Sequence, residues 1–335
     1  MRRKKVYDAI KIWGLKAKKV RRFKGLFKIW TDKGLYCLKP VKDNRARLYF
    51  FNSVIKHIQS QGFQRLTPYI PTVEGEPYGV YDEESFILIP WIDGKQIRYR
   101  SAKEIIGAAK LLAQYHNAVE GYQAEPGIKV KDKLGKWPEK LAKRVGDIEY
   151  YIQLARSEGT EFDNYFLENA DWILADTTKS FVELRDSEYY QKVEEAKEKG
   201  HICHGDPAKR NFLIDKRDQL YLIDFDSMKR DIFITDVWRL LRRTLSRDQW
   251  DIHLVDQILE SYQEMRSLDQ AEYKLLWIYL KFPEKIWRTL RKFYEKRGRE
   301  GWSYDKLFKK LRKLVEQNQS RAAFLKEFEE KYLKE

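Results

Sequence analysis

Cysteine is scarce in this sequence, and its two copies exclude most cysteine-based structures. Cys37 and Cys203 are the only cysteines among 335 residues, too few for a disulfide framework or a four-ligand zinc site. No group of His, Cys and carboxylate residues has the spacing of a zinc site either. We therefore expect a reduced protein whose fold depends on packing rather than on cross-links.

Long apolar runs are absent as well. The apolar run at 86–92 is far shorter than the roughly 20 residues that span a bilayer. The N-terminal segment MRRKKVYDAIKIWG starts with cations but lacks the continuous apolar region of a signal peptide. We predict a cytoplasmic protein with no membrane span. Its 43% hydrophobic and 14% aromatic residues suffice for large cores, which excludes disorder throughout the chain.

Acidic residues are rare in the first fifty positions. Residues 1–50 contain 17 Lys or Arg but only Asp8, Asp32 and Asp43, whereas the rest of the chain is nearly balanced within a total charge of +15. A concentrated cationic segment favours a polyanionic partner or surface, and a solvated charge run is an equally open interpretation. A nucleic-acid-binding module is a further alternative. No helix-turn-helix, zinc-finger or RNA-binding signature accompanies the segment, so we expect no specific nucleic acid.

The apolar pattern predicts a strand-rich N-terminal part, as the length of 335 residues favours two domains or lobes. Strands are expected at 19–23, 26–31, 35–39, 78–81 and 86–92. A helix should start at Asp43-Asn44 and end at Gly62. The segment Trp91-Ile92-Asp93-Gly94 resembles a hinge, which places one lobe at 1–93 and the other at 95–335.

The second lobe is predicted to be mostly helical. Ser101 and Glu104 have the spacing of a capping box. Further helices are expected at 137–157, 159–175, 180–199, 248–265, 268–282, 285–298 and 303–333. The block 201–231 is the exception, because strand-like runs at 212–214 and 220–223 flank a polar turn. The fold class is therefore α+β, with a small antiparallel sheet followed by a larger helical part.

Three polar residues of this block are predicted to converge. Asp206 and Asn211 lie five positions apart in HGDPAKRN, and Asp224 lies in IDFD at the end of the returning strand. A hairpin brings those positions together. A carboxylate that accepts a hydroxyl proton, with an amide and a second carboxylate that hold Mg²⁺, is the set that phosphoryl transfer needs. The spacing H-x-D-x-x-x-x-N with a later D-F matches a kinase catalytic loop and metal motif.

These motifs resemble the phosphotransferase superfamily of aminoglycoside and choline kinases. Within it, the GLYCLKP strand, the FILIPWIDG hinge and IDFDSMKRDIFITDVWRLLRR are most similar to the spore coat protein S family. The resemblance covers nearly the whole chain. It implies a two-lobed, protein-kinase-like fold that binds ATP and Mg²⁺, with a small molecule or saccharide as the phosphoryl acceptor. It also implies deposition in the spore coat, with other coat proteins as possible partners.

The resemblance assigns a role to each motif residue. Asp206 would be the catalytic base, with Asn211 and Asp224 as the Mg²⁺ ligands. Lys39 would contact the nucleotide phosphates, and its alternative is a solvated edge-strand lysine. The hinge residues that would bind the nucleotide are Pro90, Trp91 and Ile92. His204 would brace the loop, and Asp236 would support it through its backbone.

Other residues near the motif keep two interpretations each. Lys209 and Arg210 would neutralise the transferred phosphate or lie on the surface as ordinary cations. Asp226 would assist the metal or cap a turn. His116 fits a satisfied core or surface histidine better than a functional one.

Two features depart from the pattern of working kinases of this type. The helix after the strand lysine usually supplies a glutamate, yet no Asp or Glu occurs between Asp43 and Glu74. That leaves Asp43 or Asp224 as the partner of Lys39. The phosphate loop, FKGLF, has a single glycine. An ATP-dependent phosphotransferase is therefore the leading hypothesis, and a weakly active or inactive kinase-like coat or scaffold protein is the alternative.

Overall fold

A computed structural model describes residues 5–41, 45–245, 250–295 and 302–334. Three predicted helix boundaries, at Asp43-Asn44, near 248 and near 298, lie outside these residues. Within the described ranges, no helix combines the length and apolar character needed to cross a membrane.

The described elements alternate strands and helices in the first third of the chain and are mainly helical afterwards. The strands are β1 (Ala17–Phe23), β2 (Leu26–Thr31), β3 (Leu35–Val41), β4 (Gly79–Tyr81), β5 (Glu84–Pro90), β6 (Gly94–Gln96), β7 (Ile202–Cys203), β8 (Phe212–Asp215), β9 (Leu220–Leu222) and β10 (Lys229–Arg230). The helices are α1 (Val6–Ala9), α2 (Arg45–Ser60), α3 (Ala102–Val119), α4 (Trp137–Glu158), α5 (Glu161–Leu167), α6 (Ala170–Arg185), α7 (Tyr189–Glu198), α8 (Ile234–Leu245), α9 (Ile252–Gln263), α10 (Gln270–Lys281), α11 (Glu284–Glu295), α12 (Tyr304–Glu316) and α13 (Asn318–Tyr332).

The first five strands form one antiparallel sheet in the order β1-β2-β3-β5-β4. The residues of β2 alternate, so that Phe27 and Ile29 are buried while Lys28 and Trp30 lie on the opposite face. Lys24 and Gly25, both with positive φ, connect β1 to β2 in the two-residue turn that suits a twisted hairpin. The predicted meander is thus present, with a tight hairpin where kinases have a glycine-rich loop.

One face of this sheet packs against the N-terminal helical segment. Val20, Ile29 and Leu38 are fully buried there, together with Ile10 and Trp13 of the segment that precedes β1. Burial of side chains of this size is worth about 1.5–3 kcal/mol each. The opposite face of the sheet carries Lys39 and borders the candidate site.

The predicted hairpin is present as β8 and β9, and β6 pairs with β8 as a third strand. At Pro90–Gly94 the chain leaves the five-stranded sheet and joins this hairpin. Gly94 is required at that junction, because a Cβ would lie 2.7 Å from the carbonyl oxygen of Ile214. The lobe boundary predicted at 93–95 stays a prediction.

The described chain divides into two compact units. The first contains Met1–Asp132, Glu198–Asp236 and Ile258–Arg266, and therefore the five-stranded sheet, the β6-β8-β9 sheet, the short β7-β10 pair and the HGDPAKRN loop. The second contains Lys133–Lys197, Val237–Gln257 and Ser267–Glu335 and is helical. The α+β fold class, with an antiparallel sheet in the N-terminal part and a larger helical C-terminal part, is confirmed.

Aromatic packing dominates the helical unit. Phe162 of α5 stacks on Phe293 of α11, with ring centroids 3.6 Å apart. Trp137 of α4 contacts Trp238 and Tyr279. These buried rings explain why the helical unit is rich in aromatic residues at helical spacing.

Three local predictions were wrong. Glu104 does not return to Ser101; its carboxylate accepts hydrogen bonds from the backbone and guanidinium of Arg98. The range predicted as helices 159–175 and 180–199 holds three helices, because α5 ends at Leu167 and α6 continues through the predicted break to Arg185. The helix predicted at 303–333 is interrupted at Gln317.

Candidate active site

Asp206 and Asn211 are joined directly in the loop before β8. The side-chain nitrogen Nδ2 of Asn211 donates to the backbone oxygen of Asp206 at 2.8 Å and to its carboxylate Oδ2 at 3.2 Å. Because the amide nitrogen is used in this way, the amide oxygen of Asn211 remains as the acceptor that a cation can use. The convergence predicted for these two residues is present.

The third converging residue, Asp224, follows the returning strand. The N–H of Ile223 donates to the backbone oxygen of Asn211 at 2.9 Å, which ties the two segments together next to Asp224. Asp224 itself has φ 67° and ψ 71°, a left-handed conformation that is uncommon for a residue other than glycine. The strained backbone turns the chain sharply, and Phe225 then enters the core.

His204 lies fully buried beneath the loop. Its Nε2 is 3.1 Å from the carbonyl oxygen of Ile223 and therefore donates, while Nδ1 accepts from the N–H of Asp206 at 3.3 Å. Burial lowers the pKa of His204 below its ordinary value, which favours the neutral ring that this pattern requires. The geometry suits a brace between the loop and β9 rather than a general base.

Asp236, near the start of α8, holds the same loop from its other side. Both of its carboxylate oxygens accept from the N–H of Gly205, at 3.0 and 3.2 Å. Gly205 has φ 82°, and a Cβ there would overlap the carbonyl oxygen of Ser227, so only glycine fits. The carboxylate of Asp236 is fully buried, and His116 Nε2 lies 3.5 Å from it.

Lys39 of β3 reaches the hairpin and pairs with two carboxylates. Its Nζ is 2.6 Å from Asp224 Oδ1 and 2.7 Å from Asp226 Oδ2. Burial opposes the charge of Lys39, but Asp226 and Asp224 outweigh it and raise the pKa above its ordinary value. Burial likewise opposes ionisation of Asp224, yet Lys39 keeps its pKa below the ordinary value. Both groups are therefore charged at neutral pH.

Asp226 was not singled out as the partner of Lys39, although the sequence contained a signal for it. Helix α2 offers Arg47 instead of a glutamate, and Arg47 Nη2 donates to the carbonyl oxygen of Asp226 at 2.9 Å. No acid occurs between Asp43 and Glu74, and a second Asp follows Asp224 by two residues. This pattern indicates that the carboxylate partner of Lys39 comes from the end of the hairpin. Of the two partners considered, Asp224 is present and Asp43 lies outside the described residues.

Other predicted residues occupy the edges of the site. Arg210 Nη2 is 2.6 Å from Asp206 Oδ2, and most of its side chain is exposed. The N–H of Lys209 donates to the hydroxyl of Tyr99 at 3.0 Å. Tyr69, which the sequence did not indicate, is 8% exposed; burial, with Asp226 and Asp224, raises the pKa of its phenol well above its ordinary value.

The hinge residues lie where β5 ends. Pro90 is opposite Tyr36 in the sheet register, and the N–H of Trp91 donates to the carbonyl oxygen of Leu35 at 3.0 Å. The Trp91 ring contacts Phe23 edge-to-face, with centroids 5.7 Å apart. Ile92 is partly buried. By this register Pro90 lies on the opposite face of the sheet from Lys39, whereas the Trp91 ring borders the Lys39 face, where it contacts Lys28.

A Mg²⁺ ion would be held here by two protein ligands. Among the described residues no cluster of three or more His, Cys, Asp or Glu has metal-binding geometry. The amide oxygen of Asn211 and the carboxylate of Asp224 are oxygen donors of the kind that Mg²⁺ prefers, with the remaining positions filled by phosphates and water. The donor set therefore fits a metal bound together with a phosphate ligand.

Comparisons with known proteins point in the same direction. The family described as "Spore coat putative kinase YutH" matches residues 7–328. Spore coat protein S of Bacillus subtilis (strain 168) is 27% identical over 312 residues, which covers 92% of this chain and 88% of the relative.

Solved structures show the fold. An aminoglycoside phosphotransferase from Alicyclobacillus acidocaldarius superposes with a TM-score of 0.87 at 22% identity, over 97% of this chain and 95% of that chain. Spectinomycin phosphotransferase, solved with ADP and spectinomycin, superposes with a TM-score of 0.61 at 16% identity, over 96% and 99% of the chains. The predicted kinase-like fold and the resemblance to the spore coat protein S family are confirmed.

The buried histidines predict a loss of stability in mild acid. Burial lowers the pKa of both His204 and His116, so both rings stay neutral in the folded state. In the unfolded chain they bind protons below about pH 6.5. The free energy of unfolding should therefore fall as the pH drops from 7 to 5, by at most about 1.4 kcal/mol per pH unit for each ring.

Melting curves across that range test this expectation. His204→Gln should flatten the pH dependence, whereas His253→Gln, at an exposed histidine, should leave it unchanged. Equal stability of the wild-type protein at pH 7 and pH 5 would contradict it.

Proposed function

The chain belongs to the family described as "Spore coat putative kinase YutH", and from that membership we propose that it is an ATP- and Mg²⁺-dependent phosphotransferase acting on a hydroxyl group of a small molecule or saccharide. The observation that carries this proposal is the pairing of Lys39 with Asp224 and Asp226 next to the joined Asp206 and Asn211. These are the charges that a phosphate and its metal would engage. The ADP bound in the spectinomycin phosphotransferase structure supports a nucleotide as the donor.

Each residue has a part in the proposed reaction. Asp206 accepts the proton of the acceptor hydroxyl through its carboxylate, which Asn211 holds in position. Asn211 and Asp224 hold the cation, and Lys39 neutralises phosphate oxygens. Mg²⁺·ATP, when bound, supplies the electrophilic terminal phosphate and the neutralisation that its transfer needs. The ion pair between Arg210 and Asp206 must break before the acceptor hydroxyl can reach Asp206, and the exposed position of the Arg210 side chain allows this.

The alternative is a kinase-like coat protein without turnover. It is favoured by the tight Lys24-Gly25 turn in place of a glycine-rich loop. Family membership and the name of its B. subtilis relative support deposition in the spore coat under either alternative. The two functions differ in the role of the site carboxylates Asp206 and Asp224. Substitution of these carboxylates therefore distinguishes the enzyme from the coat protein without turnover.

Asp206→Asn should abolish most turnover while leaving stability nearly unchanged, because the amide keeps the size of the side chain but cannot accept the proton. The expected loss is about 10²–10⁴-fold. Asp224→Asn should instead weaken Mg²⁺-dependent nucleotide binding, since a neutral amide is a poorer ligand for a hard cation. An ATP-consumption assay with sugars, amino alcohols and spore-surface saccharides, beside nucleotide titrations, measures both effects.

Asp218→Asn is the matched control, because Asp218 lies exposed in the turn between β8 and β9 and undergoes the same chemical change. If the wild type turns over no acceptor, and neither site substitution alters Mg²⁺·ATP binding, the scaffold alternative replaces the enzyme.

Asp226 acts as a positioning residue in this proposal, because it holds Lys39 in the place where kinases use a helical glutamate. Asp226→Asn should raise the KM for the nucleotide and lower kcat, by up to about 10²-fold. Asp226→Glu should restore part of the activity. A loss confined to thermal stability, with unchanged kinetic constants, would remove this role from Asp226.

The exposed edge of the sheet is the proposed site for a polyanionic partner. Lys18, Lys19, Arg21 and Arg22 of the edge strand β1 and Lys24 of its turn are all exposed. A polymer with regularly spaced negative charges fits such a row of cations. This interaction is separate from turnover and applies to the coat protein in either form.

Retention on heparin should fall steeply between 50 and 500 mM salt, since exposed ionic contacts are screened or exchanged with counterions. Neutralising Arg21 and Arg22 of β1 to Gln should reduce the salt dependence, whereas the same changes at Lys309 and Lys313, exposed on α12 and outside β1, should not. Retention that does not change with salt would contradict the proposal.

A further inference from the structure

The face of the sheet that carries Lys39 also carries a second lysine, Lys28. Cys37 and Lys39 lie two positions apart on β3, so their side chains share one face. Lys28 of β2 is directly opposite Cys37, and Ile89 of β5 is opposite Cys37 on the other side, so both belong to that face. A strip of side chains thus runs from Lys39 past Cys37 and Ile89 to the hinge.

Lys28 fills the hinge end of this strip. Its Nζ lies 4.3 Å from the centroid of the Trp91 ring and 5.2 Å from that of Trp30. Asp93 Oδ1 of the hinge is 4.0 Å away. Phe23 contacts the Trp91 ring as well. Only 18% of the Lys28 side chain is exposed, so most of this side chain is packed between the sheet and the hinge.

The hinge backbone offers few hydrogen-bond donors next to this lysine. Pro90 has no N–H, and the N–H of Trp91 is used by the carbonyl oxygen of Leu35. Two of the three hinge residues therefore have no backbone donor for the edge of a base. The phosphate end of the strip has the opposite character, with Lys39 between its carboxylates and Lys24 exposed in the hairpin turn.

We infer that Lys28 occupies the place of the nucleotide base, so that the site holds its phosphoryl donor through the phosphates and discriminates little between bases. This inference rests on the proposed function, because it needs the donor phosphates at Lys39. A base can enter only when Lys28 leaves Trp91 and Asp93, which weakens every nucleoside triphosphate alike. A donor without a base does not meet that cost.

Titration with three Mg²⁺ complexes tests this directly: those of ATP, GTP and inorganic tripolyphosphate. For the wild type, the Kd values of ATP and GTP should agree within about threefold, and tripolyphosphate, which meets no cost for a base, should bind at least as tightly as either. Lys28→Ala should tighten ATP and GTP by roughly 3- to 30-fold, the range that corresponds to a partly buried cation–π contact. It should not tighten tripolyphosphate. Lys28→Met should change the ATP and GTP affinities in the same direction. Because it keeps the apolar stem of the side chain, it guards against a folding defect.

Two controls define the signal. Lys33→Ala removes an equal charge from the exposed turn between β2 and β3 and should change none of the three affinities. Lys39→Met should abolish binding at the site. Any binding that remains in this variant is subtracted from each titration, so that binding to the basic edge strand β1 does not enter the comparison.

The outcomes separate this inference from the proposed function. If the wild type binds ATP at least tenfold more tightly than GTP and tripolyphosphate, or Lys28→Ala weakens ATP, Lys28 recognises the base and the inference is wrong. If neither the wild type nor Lys28→Ala binds any of the three complexes, the proposed donor site fails and the inference fails with it.

Discussion

The pairing of Lys39 with Asp224 and Asp226 is the interaction on which the candidate site depends. It connects residues separated by 185 positions in the chain, and it links the five-stranded sheet to the hairpin that carries Asp206 and Asn211. A lysine this well buried is stable only with anions around it. The two carboxylates supply that charge, and they leave Lys39 as a cation with its ammonium group beside Asp224, one of the two residues that would hold a metal.

A set of backbone interactions keeps the hairpin in the required shape. His204 joins the loop to β9, and Asp236 joins it to the start of α8. Gly205 allows the close approach of the loop to Ser227. These contacts hold the loop through its backbone and leave the carboxylate of Asp206 to Asn211 and Arg210. The strained backbone of Asp224 is retained because the surrounding hydrogen bonds determine its position.

Local patterns were sufficient to predict much of this arrangement. Asp206, Asn211 and Asp224 flank a short hairpin, so the chain geometry alone predicted that they converge. The strands of the sheet were predicted from the alternation of apolar residues and from the turn residues between them. Asp224 was one of the two partners expected for Lys39. The second partner, Asp226, and the position of Lys28 depend on contacts between distant segments, which single-sequence patterns do not specify. Glu104 was misassigned for a related reason, because Arg98 outcompetes the helix N-terminus for its carboxylate. The helix breaks at residues 168–169 and at Gln317 lie within amphipathic patterns that continue across them.

The most direct measurement is a crystal structure of the protein with Mg²⁺ and a non-hydrolysable ATP analogue. The proposed mechanism predicts that Lys39 Nζ exchanges a carboxylate for a phosphate oxygen, with the cation on Asn211 and Asp224. A structure at saturating analogue in which Lys39 keeps both carboxylates, and the analogue is absent or bound elsewhere, would contradict it.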